Sequence, residues 1–455
     1  MIKTIRNAWS IPDLRKKILF TLLIIIVFRI GSVIPVPFLD SNVLSAVMAP
    51  ATDVMDGSSN MIAYLNTLSG GAFSNATLFA MGITPYINSS IIIQLLCVAI
   101  PALERLTKEG EAGRRKIGTI TRYVTVALGL IQGTAYFFYL KNTVCTTEGD
   151  YYGQHITVYN DGFSMVFAGI VIVLVFTAGT ALMMWLGEQI NKYGIGNGIS
   201  ILLFAGIIAR LPVTVRDLGM FWSLGFGGGE AGVAQPKYFV FVILWIVLFL
   251  AIIWLITFMQ DAERRIPIQY AKRVVGRKMY GGQSSFLPIK VALGGVLPII
   301  FASSILSIPS TINLFLNIKE GFWADFFNAF NSNNWLYIVL YFILILLFAY
   351  FYTTIQYNPV EMANNLKSNN GTVPGIRPGA PTANYIKNIL SRITLIGALF
   401  LSVIALVPLI YGAATQMGRL SMGGTSIIII VGVALETVKQ LESQMMMRHY
   451  KGFLD

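Results

Sequence analysis

The sequence predicts an all-α polytopic membrane protein with ten transmembrane helices, and three observations carry that expectation. Hydrophobic residues make up 55% of the 455, and charged residues only 12%, against roughly 25% in an average globular chain. Apolar stretches recur from end to end, most of them near the ~20 residues that a helix needs to cross the hydrocarbon core. Basic residues gather in alternate connecting segments, as membrane topology requires. The net charge of +12 would suit a nucleic-acid partner, but the same excess follows from holding Lys and Arg on the cytosolic side. The two cysteines, Cys97 in an apolar run and Cys145 in a polar loop, predict neither a disulfide framework nor a metal site.

Taken in order, the first element needs one check. Lys16 and Lys17 before an apolar run from Ile18 imitate a secretory signal. The run continues past Arg29 to Pro35 and Pro37 without a small-residue cleavage pattern, so it is read as an uncleaved first span. Spans are expected at about 18–38, 76–100, 119–139, 163–187, 195–212, 237–259, 291–315, 335–355, 390–411 and 425–445 by the length rule. The last has an apolar core only from Ser426 to Leu435, followed by Glu436, Lys439 and Glu442. It is read as a span that leaves the membrane early, with an interfacial amphipathic helix as the alternative.

Orientation follows from charge. With both termini cytosolic, the inner segments hold every Lys and Arg except Lys141, Arg210, Arg216, Lys237, Lys319, Arg419 and the intramembrane Arg29. That asymmetry predicts cytosolic termini. Ten spans divide into residues 1–212 and 213–455, joined by an external connection rich in glycine (Gly225, Gly227, Gly228, Gly229, Gly232). Five spans per half is an odd number, so two related halves would be inverted, an arrangement that puts a pathway at their interface.

The chemistry is marked by what is missing. The sequence holds no GxxxxGK[ST] loop for a nucleotide phosphate, and no Asp or Glu falls near the middle of the first nine spans. His155 and His449 lie outside the spans. A transporter coupled to protons or sodium needs ionisable groups at the midplane, so that class is excluded, and no catalytic residue or cofactor is expected.

What remains is a set of irregularities. Met61–Ser74 (MIAYLNTLSGGAFS) is too short and too Gly-interrupted to cross; it is either a surface helix or a segment folded back into a cavity. The second span carries Pro85, Asn88, Ser89 and Ser90, and the seventh Pro298, Ser303, Ser304, Ser307 and Pro309. Such faces either pack helices closely or form a boundary that can part. Residues 260–289 alternate at Ile266, Ile268 and Tyr270 before a basic turn, which predicts a protruding cytosolic hairpin. Residues 357–389, punctuated by glycine and proline, present Arg377 on a second long loop.

At these residues the chain resembles the SecY/Sec61-alpha family. The matching blocks are FRIGSVIPVP at 28–37, LSGGAFSNATLFAMGITPYINSSIIIQLL at 68–96, KEGEAGRRK at 108–116 and MWLGEQINKYGIGNGISILLFAGI at 184–207, with GGVLPIIFASSI at 294–305, NPVEMANNLK at 358–367 and VPGIRPG at 373–379. The resemblance implies two pseudo-symmetric five-helix halves around a central pore that conducts polypeptides. It implies a plug helix at 61–74 with Leu65, Leu68, Gly70, Gly71 and Phe73, and a pore ring of Ile83, Ile87, Ile199, Leu203, Ile300 and Val407. Leu203 and Val407 stand where the family often has Ile, a change that keeps the ring aliphatic. It implies a lateral gate between the second and seventh spans at Asn88, Ser89, Gln94, Ser303, Ser304 and Ile308. Loop residues Arg264, Arg265, Lys272, Arg273, Arg277, Lys278 and Arg377 are implied to engage a SecA motor or a ribosome. The other partners implied are SecE and SecG subunits, signal sequences, nascent polypeptides and lipid, in a bacterial plasma membrane.

Overall fold

A computed structural model of the chain describes residues 2–51, 66, 69–144, 151, 153–159, 162–226, 236–270, 273–275, 278–280, 284–292, 294–316, 321–330, 334–415 and 423–451. Among the described residues, six helical stretches are long and apolar enough to cross a membrane: Glu111–Asn142, Gly162–Tyr193, Gly198–Gly225, Pro236–Asp261, Trp335–Ser368 and Ala380–Gly412. A seventh is the pair Thr84–Ala99 and Pro101–Thr107, bent by 105°. Helices Pro12–Gly31, Leu297–Leu316 and Gly423–Lys451 stand at the remaining places where a span is expected.

In chain order the helices are α1 (Ile2–Ser10), α2 (Pro12–Gly31), α3 (Ser41–Ala51), α4 (Thr84–Ala99), α5 (Pro101–Lys108), α6 (Glu111–Asn142), α7 (Gly162–Tyr193), α8 (Gly198–Ala209), α9 (Leu211–Gly225) and α10 (Pro236–Asp261). A hairpin region follows: β1 (Glu263–Tyr270), β2 (Arg273–Val275), β3 (Lys278–Tyr280) and β4 (Ser284–Lys290). The chain ends with α11 (Leu297–Leu316), α12 (Phe322–Ala329), α13 (Trp335–Gln356), α14 (Pro359–Ser368), β5 (Gly371–Thr372), α15 (Ala380–Thr415) and α16 (Gly423–Lys451).

Helix packing falls into two groups. In one, α6 lies on α7, α4 on α6 and α7, and α2 on α7 and α8. In the other, α13 lies between α11 and α15, while α16 contacts α10 and α15. The groups meet along two seams, α8 against α16 and α11 against α4 and α6. One apolar cluster runs through both groups and holds Ile24, Phe28, Ile87, Leu203, Ile299, Tyr341, Ile404 and Ile428. Two ion pairs tie helices at their polar ends: Arg122 to Glu188 at 2.6 Å between α6 and α7, and Lys439 to Asp261 at 2.7 Å between α16 and α10.

Several boundaries differ from the apolar-length expectation, each for a local reason. The second span was expected from about residue 76, yet α4 begins at Thr84. Gly82 adopts φ +57, and Pro85 occupies the first turn of the helix, where a missing N–H costs nothing. The first span stops at Gly31, after which Val36 N–H donates to the Ala76 carbonyl and Leu78 N–H to that of Ile34. The fifth breaks at Arg210 and continues as α9 over Leu211–Gly225. α15 starts ten residues before the expected span, because a polar run such as Lys387–Arg392 halts membrane burial without halting a helix.

The hairpin expected over 260–289 is present. β1 and β4 pair antiparallel from Glu263 opposite Lys290 to Gln269 opposite Ser284, and β2 pairs with β3. Alternation buries Ile266 and Ile268 and leaves their neighbours exposed, as a strand with one covered face requires. The 357–389 segment is not a plain loop. Asn358 accepts from the Val360 and Glu361 N–H groups and caps α14, and β5 then pairs with β1 at Gln269 and Tyr270 to give the sheet order β4-β1-β5. Ile266, Ile289, Val373, Ile386, Leu390 and Ile393 form its core.

Helix α7 accepts the irregular 69–83 run at Gly179. A Cβ built there would stand 2.0 Å from the Leu78 carbonyl oxygen, and backbone cannot move aside as a side-chain end can. Gly179→Val is therefore expected to lower stability by about 1–3 kcal/mol or more through overpacking. The measurement is the thermal midpoint of the detergent-purified protein, which should fall, with Gly118→Ala, where a Cβ meets open space, as the control that does not move it.

Candidate functional site

The site draws on helices of both groups. Ile83 immediately precedes α4 and Ile87 lies in its first turn; Ile199 and Leu203 come from α8, Ile300 from α11 and Val407 from α15. All six belong to the central apolar cluster, with Ile83, Ile87 and Leu203 buried and Ile199, Ile300 and Val407 partly so. Asn197 fixes the entry of α8 by accepting from the Ile199 N–H at 3.1 Å, and Asn191 Oδ1 accepts from the Gly198 N–H at 2.8 Å. These caps set where the two α8 side chains stand.

A cavity of about 430 Å³ opens beside this ring. Leu203 and Ile300 form part of its wall, together with the polar Asn197, Gln260, Glu436 and Lys439 and the apolar Val296, Ile429 and Val433. Lys439 also donates to the Gln260 carbonyl at 3.2 Å. The cavity is thus mixed in character, with the aliphatic ring residues at one part of its wall.

Residues 69–83 form an irregular run enclosed by helices. Gly70 and Gly71 adopt φ +69 and +93, conformations that cost glycine least. A Cβ on Gly70 would lie 3.0 Å from both Cα and O of Gly206 in α8. Backbone groups that a helix would satisfy internally find other partners here. Asn66 O accepts from the Gly71 N–H at 2.8 Å, Asn66 Oδ1 from the Ser74 N–H at 3.1 Å, and Ser69 Oγ from the Phe73 N–H at 3.0 Å. Arg29 donates to the Gly70 carbonyl at 3.3 Å. Phe73 is buried against the Tyr136 ring at 4.4 Å, and Tyr136 donates its hydroxyl to the Phe73 carbonyl at 2.6 Å. Leu65 and Leu68, the other expected plug residues, lie outside the described residues.

A second cavity, of about 550 Å³, lies along the α11 seam with walls from α4, α6 and α11. Asn88, Ser304 and Ile308 line it, so three of the expected gate residues come together there. The other three point elsewhere. Ser89 is fully buried and donates to the Thr121 carbonyl in α6 at 2.8 Å, which pins α4 inside its own group. Gln94 donates to Ser90 Oγ along α4 at 3.1 Å, and Ser303 donates to the Ile300 carbonyl of its own helix at 3.0 Å. The third wall, α6, escaped sequence reasoning: Gln132 and Tyr136 line the groove. A lone Gln in an apolar span was the available signal.

Of the basic loop residues, Arg264, Arg265 and Arg377 are exposed. Arg265 lies 3.8 Å from Glu263. The Arg377 carbonyl accepts from the Thr382 hydroxyl at 2.8 Å, which fixes the loop that presents its side chain. Arg273 lies across from Tyr280 in the β2–β3 pair and Lys278 across from Val275. Lys272 and Arg277 lie outside the described residues.

The fold and site together define a helical membrane channel: an aliphatic cluster at the meeting of the two helix groups, a cavity beside it and a grooved seam between α4 and α11. The SecY family model matches residues 77–438, and the chain belongs to the SecY family. The protein translocase subunit SecY of Streptomyces coelicolor is 44% identical over 462 residues, with both chains covered in full. Among solved structures, one described as a protein conducting channel superimposes with a TM-score of 0.58 at 17% identity, covering 94% of this chain and 92% of that one. Sec61 in the canine ribosome-channel complex from the endoplasmic reticulum gives 0.53 at 15% identity over the same shares. These two share the fold.

Ile87→Asn and Ile300→Asn place an amide among the six aliphatic residues of the expected ring. An unsatisfied buried polar group costs about 1–3 kcal/mol, or roughly 5- to 150-fold in the ratio of wet to dry states. Both variants are expected to raise ion conductance in planar bilayers, and conductance equal to the parent's would contradict the ring assignment.

Proposed function

We propose that this chain is the protein-conducting channel of a bacterial plasma membrane. It passes unfolded secretory polypeptides through the aliphatic ring and releases transmembrane segments into lipid through the α4–α11 seam. The single observation that carries this reading is the conjunction of that ring with a lipid-side groove formed by Asn88, Ser304 and Ile308.

The ring works without a charged filter. Aliphatic walls exclude water from a narrow waist, and ions do not enter a dewetted constriction. The same side chains make no directional bonds, so they deform around a passing chain whatever its sequence. Residues 61–74 act as the plug on the outer side, with Gly70 and Gly71 as its pivot and Arg29 as a contact that holds it.

Sideways release is a partition between solvents. Leu, Ile, Phe and Val favour the bilayer by about 0.3–0.6 kcal/mol each, while Asp, Lys and Arg disfavour it by about 2.5–3.5. A few residues thus determine whether a segment leaves through the seam or continues across. The two halves, 1–212 and 213–455, part at the front and stay joined where α8 meets α16.

The chain is a channel subunit rather than an enzyme, so energy comes from a partner. The motor SecA or a translating ribosome docks on the cytosolic sheet and on Arg377, with SecE and SecG as companion subunits and both termini cytosolic. The ribosome-bound Sec61 structure supports the ribosome as one such partner.

Arg377→Glu tests the docking surface. The side chain is exposed, and exposed substitutions usually stay within about 0.5 kcal/mol of the parent in stability. Reversing a charge in a desolvated pair with a partner costs about 2–5 kcal/mol of binding. The variant is expected to insert and fold normally yet translocate poorly when a motor must push, with Arg377→Lys intermediate because an ammonium lacks the planar fork. The assay is motor-driven translocation into vesicles, normalised to folded channel. Full activity in the Glu variant would make Arg377 a topological charge.

A further inference from the structure

Helix α12 is neither a span nor part of the pathway, and its side chains are unusual for an extramembrane turn. α11 leaves the sheet side at Leu297 and α13 returns to it at Gln356. α12, between them, therefore sits at the end of the bundle away from the sheet. It packs on α11, the helix that forms one wall of the seam.

At about 100° per residue, Phe322, Phe326 and Trp323 share one arc of the helix. They are 77%, 41% and 59% exposed, while Ala324 and Phe327 turn inward at 4% and 8%. Asp325 is exposed about 60° round the helix from Phe322, at the border of the aromatic arc. The rings brace one another edge to face: Trp323 to Phe326 at 6.0 Å and Phe326 to Phe327 at 5.6 Å. The two helices that flank α12 in the chain also expose apolar side chains. Ile308 and Ile312 on α11 are exposed, as are Val339 and Ile343 on α13, whose first residue, Trp335, is 71% exposed.

We infer that α12 docks into the headgroup–acyl boundary of the leaflet away from the sheet and holds the adjoining end of α11 at a fixed depth. Trp favours that boundary because its ring is apolar while its indole N–H can reach water, and Phe supplies the apolar area that an interfacial helix buries. Three exposed rings and a single flanking carboxylate suit the boundary better than bulk water or the hydrocarbon centre. The ligand is the interface itself, with no call on headgroup charge. This rests on the chain's being membrane-embedded, and its test does not require translocation.

The experiment uses the full channel with its companion subunits in nanodiscs of phosphatidylethanolamine and phosphatidylglycerol. Cys97→Ser and Cys145→Ser leave Phe322→Cys as the site for a bimane dye. Lipids brominated near the carbonyl end are expected to quench it at least twofold more than lipids brominated near the chain terminus. Aqueous iodide should quench it less than half as well as it quenches free dye. Iodide quenching equal to that of free dye would place α12 in water and overturn the inference, and so would protection from both quenchers, which would mean that protein covers it. A second dye at Ile308→Cys reports on α11. Serine at Phe322, Trp323 and Phe326 together should change its quenching ratio at least 1.5-fold, and an unchanged ratio would sink the tether.

Discussion

Hydrocarbon offers no partner to a backbone N–H or C=O, and each unsatisfied group there costs several kcal/mol. Irregular backbone at membrane depth must therefore be enclosed by protein that satisfies it. Residues 69–83 impose this requirement on the rest of the molecule. Tyr136 reaches from α6 to the Phe73 carbonyl, Arg29 from α2 to that of Gly70, and Gly206 and Gly179 clear room in α8 and α7. Helices arranged around a segment that fills no span leave a space when that segment moves. A channel is what such an arrangement becomes.

The same constraint explains why the two seams differ. At the back, α8 meets α16, and Thr4 Oγ1 donates to Glu442 at 3.0 Å while Lys17 reaches Gln444 at 3.4 Å, so the first and last helices are stitched together. At the front, α4 and α11 face each other across a groove with Asn88 and Ser304 in its wall. The cavity of about 550 Å³ along this seam leaves its lining without partner atoms on one side, so parting the seam forfeits fewer contacts than parting a close-packed one. Ser89 shows the limit of that logic: its hydroxyl is spent on α6, which keeps α4 with its own group when the seam opens.

Much of this was legible in the sequence, and the failures share a cause. Hydropathy located a helix at every expected span because lipid acts on length and apolarity alone. It could not tell the helical part of 76–100 from the irregular part, since Phe79 and Met81 are as apolar as Ile91; Gly82 and Pro85 carried that information. Nor could it foresee α14, inside a segment read as a long loop, where Pro359 stands in the first turn and Asn358 serves as cap. The pore ring was named by resemblance, and its six residues do gather in one cluster. Of the six expected gate residues, Asn88, Ser304 and Ile308 line the groove, because which face of α4 and α11 turns to the seam depends on helix rotation. Helix rotation is set by partners such as Thr121 and is invisible to composition.

The central claim is that the α4–α11 seam parts while the α8–α16 seam stays shut, and one cross-linking measurement addresses it directly. A reducible cross-linker would join Asn88→Cys to Ser304→Cys in one channel, and Thr4→Cys to Glu442→Cys in another, each reconstituted in vesicles. Release of an apolar segment into lipid would be followed before and after reduction. The account predicts that the front link blocks release reversibly while the back link leaves it intact. Release through a channel locked at the front, or a block imposed by the back link, would contradict it.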